Sequence, residues 1–557
     1  MNSQPISDPT LDSIAGADPV SMPSKRQLLS SAMSILGQGA RVRREVKNLG
    51  TELVRIGVGR SEVGPARGDN RFKDAAWQDN PLYRRVAQTY LSTCGAIDNL
   101  VDGLEDADWR RAEKARFLMG IVTSAAAPTN TFIGNPAALK KAFDTSGKSV
   151  VRGIGNWLSD VRHNGGMPSM AKPGALKVGE DLAVTPGGVV SRDDVAELIQ
   201  YTPTTTRVYE RPTLIVPPPI GRFYFLDLAP GRSFVEYSVG RGLQTFLLSW
   251  RNPTKEQSQW DIDVYARRIL AAIDEVRELT GSDDVNVIGF CAGGILNVAV
   301  LNHLASLGDT RVHSAAFAVT LLDFGLSAPI GAFSSAKVLS VARAKSRRAG
   351  IIDARSMGGV FSWMRPNDLV WNYWVNNYLL GQDPPVFDIL SWNADGTNLP
   401  ATLHEQFLDI FALNPLVKKG ARTYLGSPLD VSSIDVPNFV TGAINDHLTP
   451  WRGTYRTTQL LNGPSTFVLS NAGHIASLVN PPGNPKATYF RGDLDPTSDA
   501  DTWHSKAEKQ AGSWWEAWAD WTIERAGKQK AADEAPGAPD RPVLVDAPGL
   551  YVRDLGR

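Results

Sequence analysis

The stretch VIGFCAGGIL, residues 287–296, runs from an apolar segment into a helical one through Gly289-Phe290-Cys291-Ala292-Gly293. Small residues on both sides of Cys291 allow a sharp strand-to-helix turn that leaves the central side chain strained and exposed, where this motif usually carries a nucleophilic serine. A cysteine opening a helix meets the positive end of the helix dipole, which favours the thiolate, the attacking form. The competing reading is a small buried cysteine beside packing glycines, so the surroundings decide.

Working outward, short apolar runs bounded by turns lie at 213–219 (TLIVPPP), 244–250 (QTFLLSW), 285–290 (VNVIGF) and 314–322 (SAAFAVTLL). Helical stretches at 263–279 and 294–307 separate several of them, the alternation of a parallel sheet covered by helices. After Asp323 the alternation stops for about a hundred residues rich in Trp, Tyr, Asn and Pro, then resumes at 436–444 (VPNFVTGAI) and 465–471 (STFVLSN). An aromatic insertion between core strands predicts a cap over the site. Residues 72–190 read as helical and loop-rich, broken at SAAAPTNTFIGNP and HNGGMPS.

A nucleophile on such a turn predicts an acid and then a histidine, each after a later core strand. Both are present: Asp446 follows NFVTGAI, and His474 follows TFVLS. His447 is a weaker rival base because it shares a loop with the acid meant to orient it, and His163, His303, His313, His404 and His504 have no strand-end setting. This order predicts an α/β-hydrolase fold with Cys291, Asp446 and His474 as triad. The oxyanion hole is expected from the backbone N–H of Ala292, directly after the nucleophile, and one in the loop after TLIVPPP, placed at Ile220.

The expected layout is a disordered tail over 1–25, a mainly helical N-terminal domain over 26–194, a catalytic domain over 195–527 with a cap insertion over about 323–425, and a mobile tail over 528–557, within which VLVDAPGLYVRDL has the composition to fold back. Leu28, Leu29, Met33, Ile35 and Leu36 recur at helical spacing, either as a basic amphipathic surface helix or as a face packed on the chain's own core. Trp514, Trp518 and Trp521 share one helical face, for docking on the sheet or for contact with an apolar particle.

The chain has 557 residues, with 58 basic and 58 acidic side chains. That balance provides no long-range field for nucleic acid or an anionic bilayer. Two cysteines, Cys94 and Cys291, are too few for a disulfide framework or a zinc cluster and suit a reducing cytoplasm as free thiols. No metal site, secretory signal or transmembrane segment is expected.

Several long motifs then point to a family. FKDAAWQDNPLYRRVAQTYL (72–91), APTNTFIGNPAALKKAFDTSGKS (127–149), VTPGGVVSRDDVAELIQYTP (184–203), FLLSWRNPT (246–254), GAINDHLTPW and LSNAGHIASLVNPPGNPKA (469–487) resemble the polyhydroxyalkanoate synthases, most closely the single-subunit type acting on medium-chain monomers. The likeness spans roughly residues 70–525, and the family's nucleophile, acid and base fall on Cys291, Asp446 and His474. One departure is Ile220-Gly221-Arg222-Phe223-Tyr224, where the family commonly has Ile-Asn-Lys-Phe-Tyr.

The resemblance implies an acyltransferase that polymerises (R)-3-hydroxyacyl-CoA into polyester and releases CoA, with the CoA thioester as substrate and no cofactor. It also implies a homodimer in the cytoplasm at the surface of the polyester granule. Sulfur suits this chemistry because exchange between thioesters is nearly isoenergetic, so an acyl-cysteine stays activated. Trp371, Tyr373, Trp374, Tyr378 and Trp392 of the insertion are candidates to line an acyl passage, with packing of the cap or a dimer contact as alternatives. Rival functions are a thioesterase or esterase with a cysteine nucleophile, and an inactive granule-associated protein.

Overall fold

The computed structural model describes residues 37–104, 108–326 and 328–556. The expected tail over 1–25 and the apolar positions from Leu28 to Leu36 lie outside the described residues. The chain divides into two compact units. One gathers the described residues up to Pro173 with Pro329–Ala342 and Arg355–Ala394; the other gathers Gly174–Ala328, Arg343–Ala354 and Asp395 onward.

The first unit is helical: α1 (Gly39–Gly57), α2 (Pro81–Asp102), α3 (Trp109–Ala125), α4 (Pro136–Asp144) and α5 (Lys148–His163). Three of these begin as their sequences dictate, with the Asn80, Asp108 and Asn135 side chains accepting hydrogen bonds from first-turn N–H groups, and with proline after both asparagines. Phe72, Trp77 and Ala87 form a small core, with Tyr83 and Tyr90 packed on it. The inserted segments return to these helices. An ideal Cβ on Gly331 would lie 2.3 Å from Trp109, and one on Gly153 of α5 would lie 2.0 Å from the Tyr378 carbonyl oxygen, so both glycines are there for close approach.

The second unit is built on an eleven-stranded sheet. In chain order its strands are β1 (Gly187–Arg192), β2 (Ala196–Tyr201), β3 (Thr213–Val216), β4 (Thr245–Trp250), β5 (Val285–Phe290), β6 (Val312–Ala318), β7 (Asn438–Ala443), β8 (Ser465–Ser470), β9 (Thr488–Arg491), β10 (Glu508–Ala511) and β11 (Val545–Asp546). Their spatial order is β10-β9-β8-β7-β6-β5-β3-β4-β2-β1-β11. The block from β4 to β8 is parallel and the outer pairs are antiparallel. Every residue of β3, β4, β5 and β7 is buried, which is why these strands read as unbroken apolar runs rather than alternating ones. Helices α6 (Ile262–Thr280), α7 (Ala292–Leu307), α8 (Trp451–Leu460) and α9 (Trp514–Ile523) connect or follow the strands. This is the α/β-hydrolase arrangement, with the β3–β5 neighbours marking where the strand order crosses over.

Three boundaries differ from the expected layout. The sheet unit starts before residue 195, because β1 and β2 form a hairpin whose turn is made by Asp193, its carboxylate accepting from the N–H groups of Val195 and Ala196 at 2.8 Å. The insertion over 323–425 is divided, with Pro329–Ala342 and Arg355–Ala394 in the helical unit and its remaining segments, Arg343–Ala354 among them, in the sheet unit. The segment over 528–557 was expected to be mobile, yet β11 pairs with β1 and the buried Glu197 carboxylate accepts from the N–H groups of Leu550 and Tyr551. A buried carboxylate that takes two backbone donors fixes the segment carrying them.

The tryptophan face of α9 is settled as well. Trp514, Trp518 and Trp521 are 1%, 1% and 6% exposed, with Phe234 4.5 Å from Trp518 and Phe439 5.6 Å from Trp521 between ring centroids. Those rings dock α9 on the sheet unit. No helix among the described residues is long and apolar enough to cross a membrane.

Candidate active site

Cys291 stands between β5 and α7 with φ +50° and ψ −119°, a conformation that L-residues with a Cβ rarely adopt. Its backbone is over-determined: Cys291 N–H donates to the Ala318 carbonyl at 2.9 Å, and its own carbonyl accepts from Gly294 N–H at 3.0 Å and from the buried Thr320 hydroxyl at 3.1 Å. Both sulfhydryls of the chain are free, Cys94 and Cys291 alike.

The glycines of the turn are there for space. An ideal Cβ would lie 2.6 Å from Gly294 Cα at Gly289, 2.3 Å from the Val216 carbonyl oxygen at Gly293, and 2.1 Å from Thr320 Oγ1 at Gly294. At Gly293 the obstruction is backbone at the end of β3 and at Pro217 in the loop that follows it, so it has no side chain to turn aside. Gly293→Ala is expected to cost about 1–3 kcal/mol by overpacking and to slow the reaction of the Cys291 thiol with a thiol-reactive probe as the loop is pushed off the elbow. Urea denaturation and a thiol-detection assay check the two effects separately.

His474 opens the turn after β8, and Asp446 follows β7. His474 Nδ1 is 2.6 Å from Asp446 Oδ2, and the Cys291 sulfur is near enough to the imidazole to raise its affinity for a proton. Asp446 and His474 are thus in direct contact after β7 and β8, and Cys291 stands on the elbow after β5. His474 is 5% exposed and Asp446 8%. Burial pulls the imidazole down in pKa, but the Asp446 carboxylate and the Cys291 sulfur outweigh it and hold His474 up at about 10. Burial likewise pushes the Asp446 carboxyl up, while His474 and the Thr449 hydrogen bonds bring it below the ordinary carboxylate value. The acid stays ionised beside a histidine that favours its proton.

Asp446 is itself anchored in a turn. Its Oδ1 accepts from Leu448 N–H at 2.8 Å and Thr449 N–H at 2.9 Å, and its Oδ2 accepts from the Thr449 hydroxyl at 2.7 Å. The Thr449 hydroxyl also lies 3.3 Å from His474 Nδ1. Sequence reasoning missed Thr449. The signal was present in Asp446-His447-Leu448-Thr449, the spacing at which an aspartate closes a turn on its own downstream amides.

Ala292 is the first residue of α7, where an N–H has no intrahelical acceptor and points along the positive helix end. Ile220 lies in the loop after β3, the loop whose carbonyls contact the elbow glycine. The other histidines have separate surroundings: His163 on the Ser159 carbonyl, His303 on the Ser427 hydroxyl, His313 near Asp284, His404 buried and His504 against Trp451 and Phe490.

The five aromatic candidates of the insertion all fall in the helical unit. Trp371 and Trp374 have ring centroids 5.7 Å apart, and Trp374 and Tyr378 5.1 Å. Trp374 Nε1 donates to the Asn130 carbonyl and Tyr378 to Asp160, while Tyr373 is buried and Trp392 half-buried. Trp371, Tyr373, Trp374 and Tyr378 sit on a helical stretch with π-helical turns at Asn367–Trp371 and Val375–Leu379. Trp374 and Tyr378 thus tie that stretch to the unit's own helices.

Comparison with known proteins agrees with this picture. Residues 68–238 match the family described as Poly-beta-hydroxybutyrate polymerase (PhaC) N-terminus, and residues 230–481 match the alpha/beta hydrolase fold. Poly(3-hydroxyalkanoate) polymerase 1 of Ectopseudomonas oleovorans is 42% identical over 543 residues, 97% of each chain. Polymerase 2 of the same organism is 41% identical, covering 95% of this chain and 94% of that one. The polymerase subunit PhaC of Cupriavidus necator is 36% identical over 89% of this chain and 85% of its own. Likeness of this degree along nearly the whole length, on a hydrolase-type sheet with a strained cysteine at its elbow, establishes that the chain belongs to the poly(3-hydroxyalkanoate) polymerases.

Proposed function

We propose that the chain polymerises (R)-3-hydroxyacyl-CoA through an acyl-cysteine on Cys291, with His474 as base and acid and Asp446 as its orienting partner. The observation that carries this is the 2.6 Å His474–Asp446 hydrogen bond beside the strained elbow of Cys291, whose sulfur raises the imidazole pKa, in a member of this family. His474 takes the thiol proton, and the sulfur adds to the thioester carbonyl, whose oxygen becomes an oxyanion held by the N–H groups of Ala292 and Ile220. The carbon–sulfur bond to CoA then breaks and the leaving thiolate takes the proton from His474.

The second half replaces CoA by an alcohol. A 3-hydroxyl of monomer or chain gives its proton to His474, its oxygen attacks the acyl-cysteine, and the ester forms as the Cys291 sulfur leaves and is reprotonated. Water at about 55 M competes at this step, so polymer forms only where the hydroxyl is held close and solvent is excluded. The CoA thioester is substrate and free CoA is product, and the reaction requires no further cofactor. A homodimer working at the granule surface in the cytoplasm fits an enzyme whose product is insoluble.

The test supplies purified protein with (R)-3-hydroxydecanoyl-CoA and, separately, (R)-3-hydroxybutyryl-CoA. The expected result is CoA release matched by insoluble polyester, faster with the ten-carbon monomer. CoA release matched by free hydroxy acid would instead identify a thioesterase, and no release at all would identify an inactive coat.

A further inference from the structure

Two residues beyond Ile220, Arg222 is 4% exposed. A guanidinium taken so far out of water needs a full set of acceptors. Within the sheet unit its Nε donates to Asp395 Oδ1 at 3.2 Å, its Nη1 to the Tyr551 carbonyl at 3.1 Å and its Nη2 to the Asp554 carbonyl at 2.7 Å. Two of its acceptors therefore come from a segment more than three hundred residues away in sequence, beyond the last sheet strand.

That segment is seated as a specific strap. Glu197, 0% exposed, accepts from Leu550 N–H at 3.0 Å and Tyr551 N–H at 2.9 Å. The Tyr551 ring lies beneath two further guanidiniums, Arg192 at 6.0 Å and Arg251 at 5.7 Å. Asn252 Nδ2 donates to the Asp554 carbonyl at 3.1 Å and Asn398 Nδ2 to the Gly556 carbonyl at 3.2 Å. Gly549 and Gly556 both have positive φ, and a Cβ would lie 2.3 Å from Glu197 at the first and 2.7 Å from Asn252 and Asn398 at the second. The cradle fits this stretch of chain closely.

We infer that residues 549–556 act as a strap that positions the oxyanion loop after β3, with Arg222 as the positioning residue that joins strap to loop. The inference rests on the assignment of the Ile220 N–H to the oxyanion. Gly221, with φ +83°, donates its N–H to Thr397 Oγ1 at 2.8 Å, and the Tyr224 hydroxyl donates to Asp395 Oδ2 at 3.0 Å. The loop is thus held on one side by 395–397 and on the other by the strap. Without the strap, two guanidinium donors lose their buried acceptors, and the simplest relief is for Arg222 to swing toward water and carry Gly221 and Ile220 with it. An oxyanion donor tolerates little displacement, since misplacement by about 1 Å costs about 100-fold. Arginine fits this role, because its planar fork reaches two carbonyls and a carboxylate at once, whereas a lysine ammonium would be a point donor.

The test measures single-turnover CoA release, which reports acylation of Cys291, together with KM and cooperative melting. Arg222→Met and a chain shortened to end at Ala547 are expected to acylate about 10–100-fold more slowly with KM little changed, Arg222→Lys is expected to recover part of the rate, and a synthetic peptide of residues 548–557 is expected to restore the shortened chain. Ile220→Pro, which removes the N–H itself, is the control for the assignment beneath the inference. If Ile220→Pro acylates normally, the oxyanion assignment is wrong; if it is slow while a folded Arg222→Met acylates at the full rate, only the strap is wrong. Should the shortened chain not fold, Gly556→Ala, which crowds the cradle without deleting it, decides in its place: slow acylation supports the strap and a full rate overturns it.

Discussion

Cys291→Ala is expected to retain the fold and to lose CoA release and polymer formation together, by about 10⁴-fold or more, as when a covalent nucleophile is removed from a coupled triad. Alanine keeps the Cβ and therefore keeps the backbone strain at φ +50°, while the N–H and carbonyl anchors to Ala318, Gly294 and Thr320 remain. Cys291→Gly separates strain from chemistry. It is expected to be as inactive as the alanine variant but more stable than it by about 0.5–1 kcal/mol, because glycine occupies positive φ without steric penalty. Cys291→Ser tests why sulfur is used: the hydroxyl has the same geometry, yet an acyl-serine is an ordinary ester, so a single slow acylation is expected to leave a stable adduct. Mass spectrometry of the intact protein reads that adduct. Polymer made by the alanine variant would remove Cys291 from the role assigned to it, and sustained turnover by the serine variant would remove the need for sulfur.

The elbow and its two partners were legible because each rests on information carried locally. Gly289, Gly293 and Gly294 announce a close approach, and Asp446 and His474 announce themselves by following apolar runs in the order this topology imposes. Arg222 was seen only as a departure from a family pattern, since its partners Tyr551 and Asp554 lie 329 and 332 residues downstream, and no local periodicity encodes a contact of that range. The same cause hid the order in 528–556: its Pro, Ala, Asp and Gly content reads as a tail, and the buried Glu197 that fixes it belongs to another strand. The insertion differs again. Its aromatic density marks burial, but the sequence does not state against which unit, and Trp374 and Tyr378 pair with Asn130 and Asp160 of the helical unit.

Asp446→Asn is the second decisive variant, expected to slow CoA release by about 10³–10⁴-fold with the fold intact. The asparagine carbonyl still accepts from Leu448 and Thr449 N–H groups as Oδ1 does now. Its amide nitrogen then faces His474 Nδ1, making that nitrogen an acceptor and moving the ring proton to Nε2, where it opposes the thiol instead of receiving its proton. A stability signature accompanies the kinetic one. In the native protein the Asp446 carboxylate and the Cys291 sulfur hold His474 at about 10 against the effect of burial; with the carboxylate gone, only the sulfur opposes burial and the imidazole titrates lower. A histidine raised in the folded state contributes stability that is fully present below its unfolded pKa of about 6.5 and disappears as pH climbs through the folded value. The stability advantage of the native protein over Asp446→Asn is therefore expected to be larger at pH 6.5 than at pH 10, shrinking across that interval. Urea titrations at both pH values measure it, and a gap that stays constant, or activity within tenfold of native, would mean that Asp446 does not govern the protonation of His474.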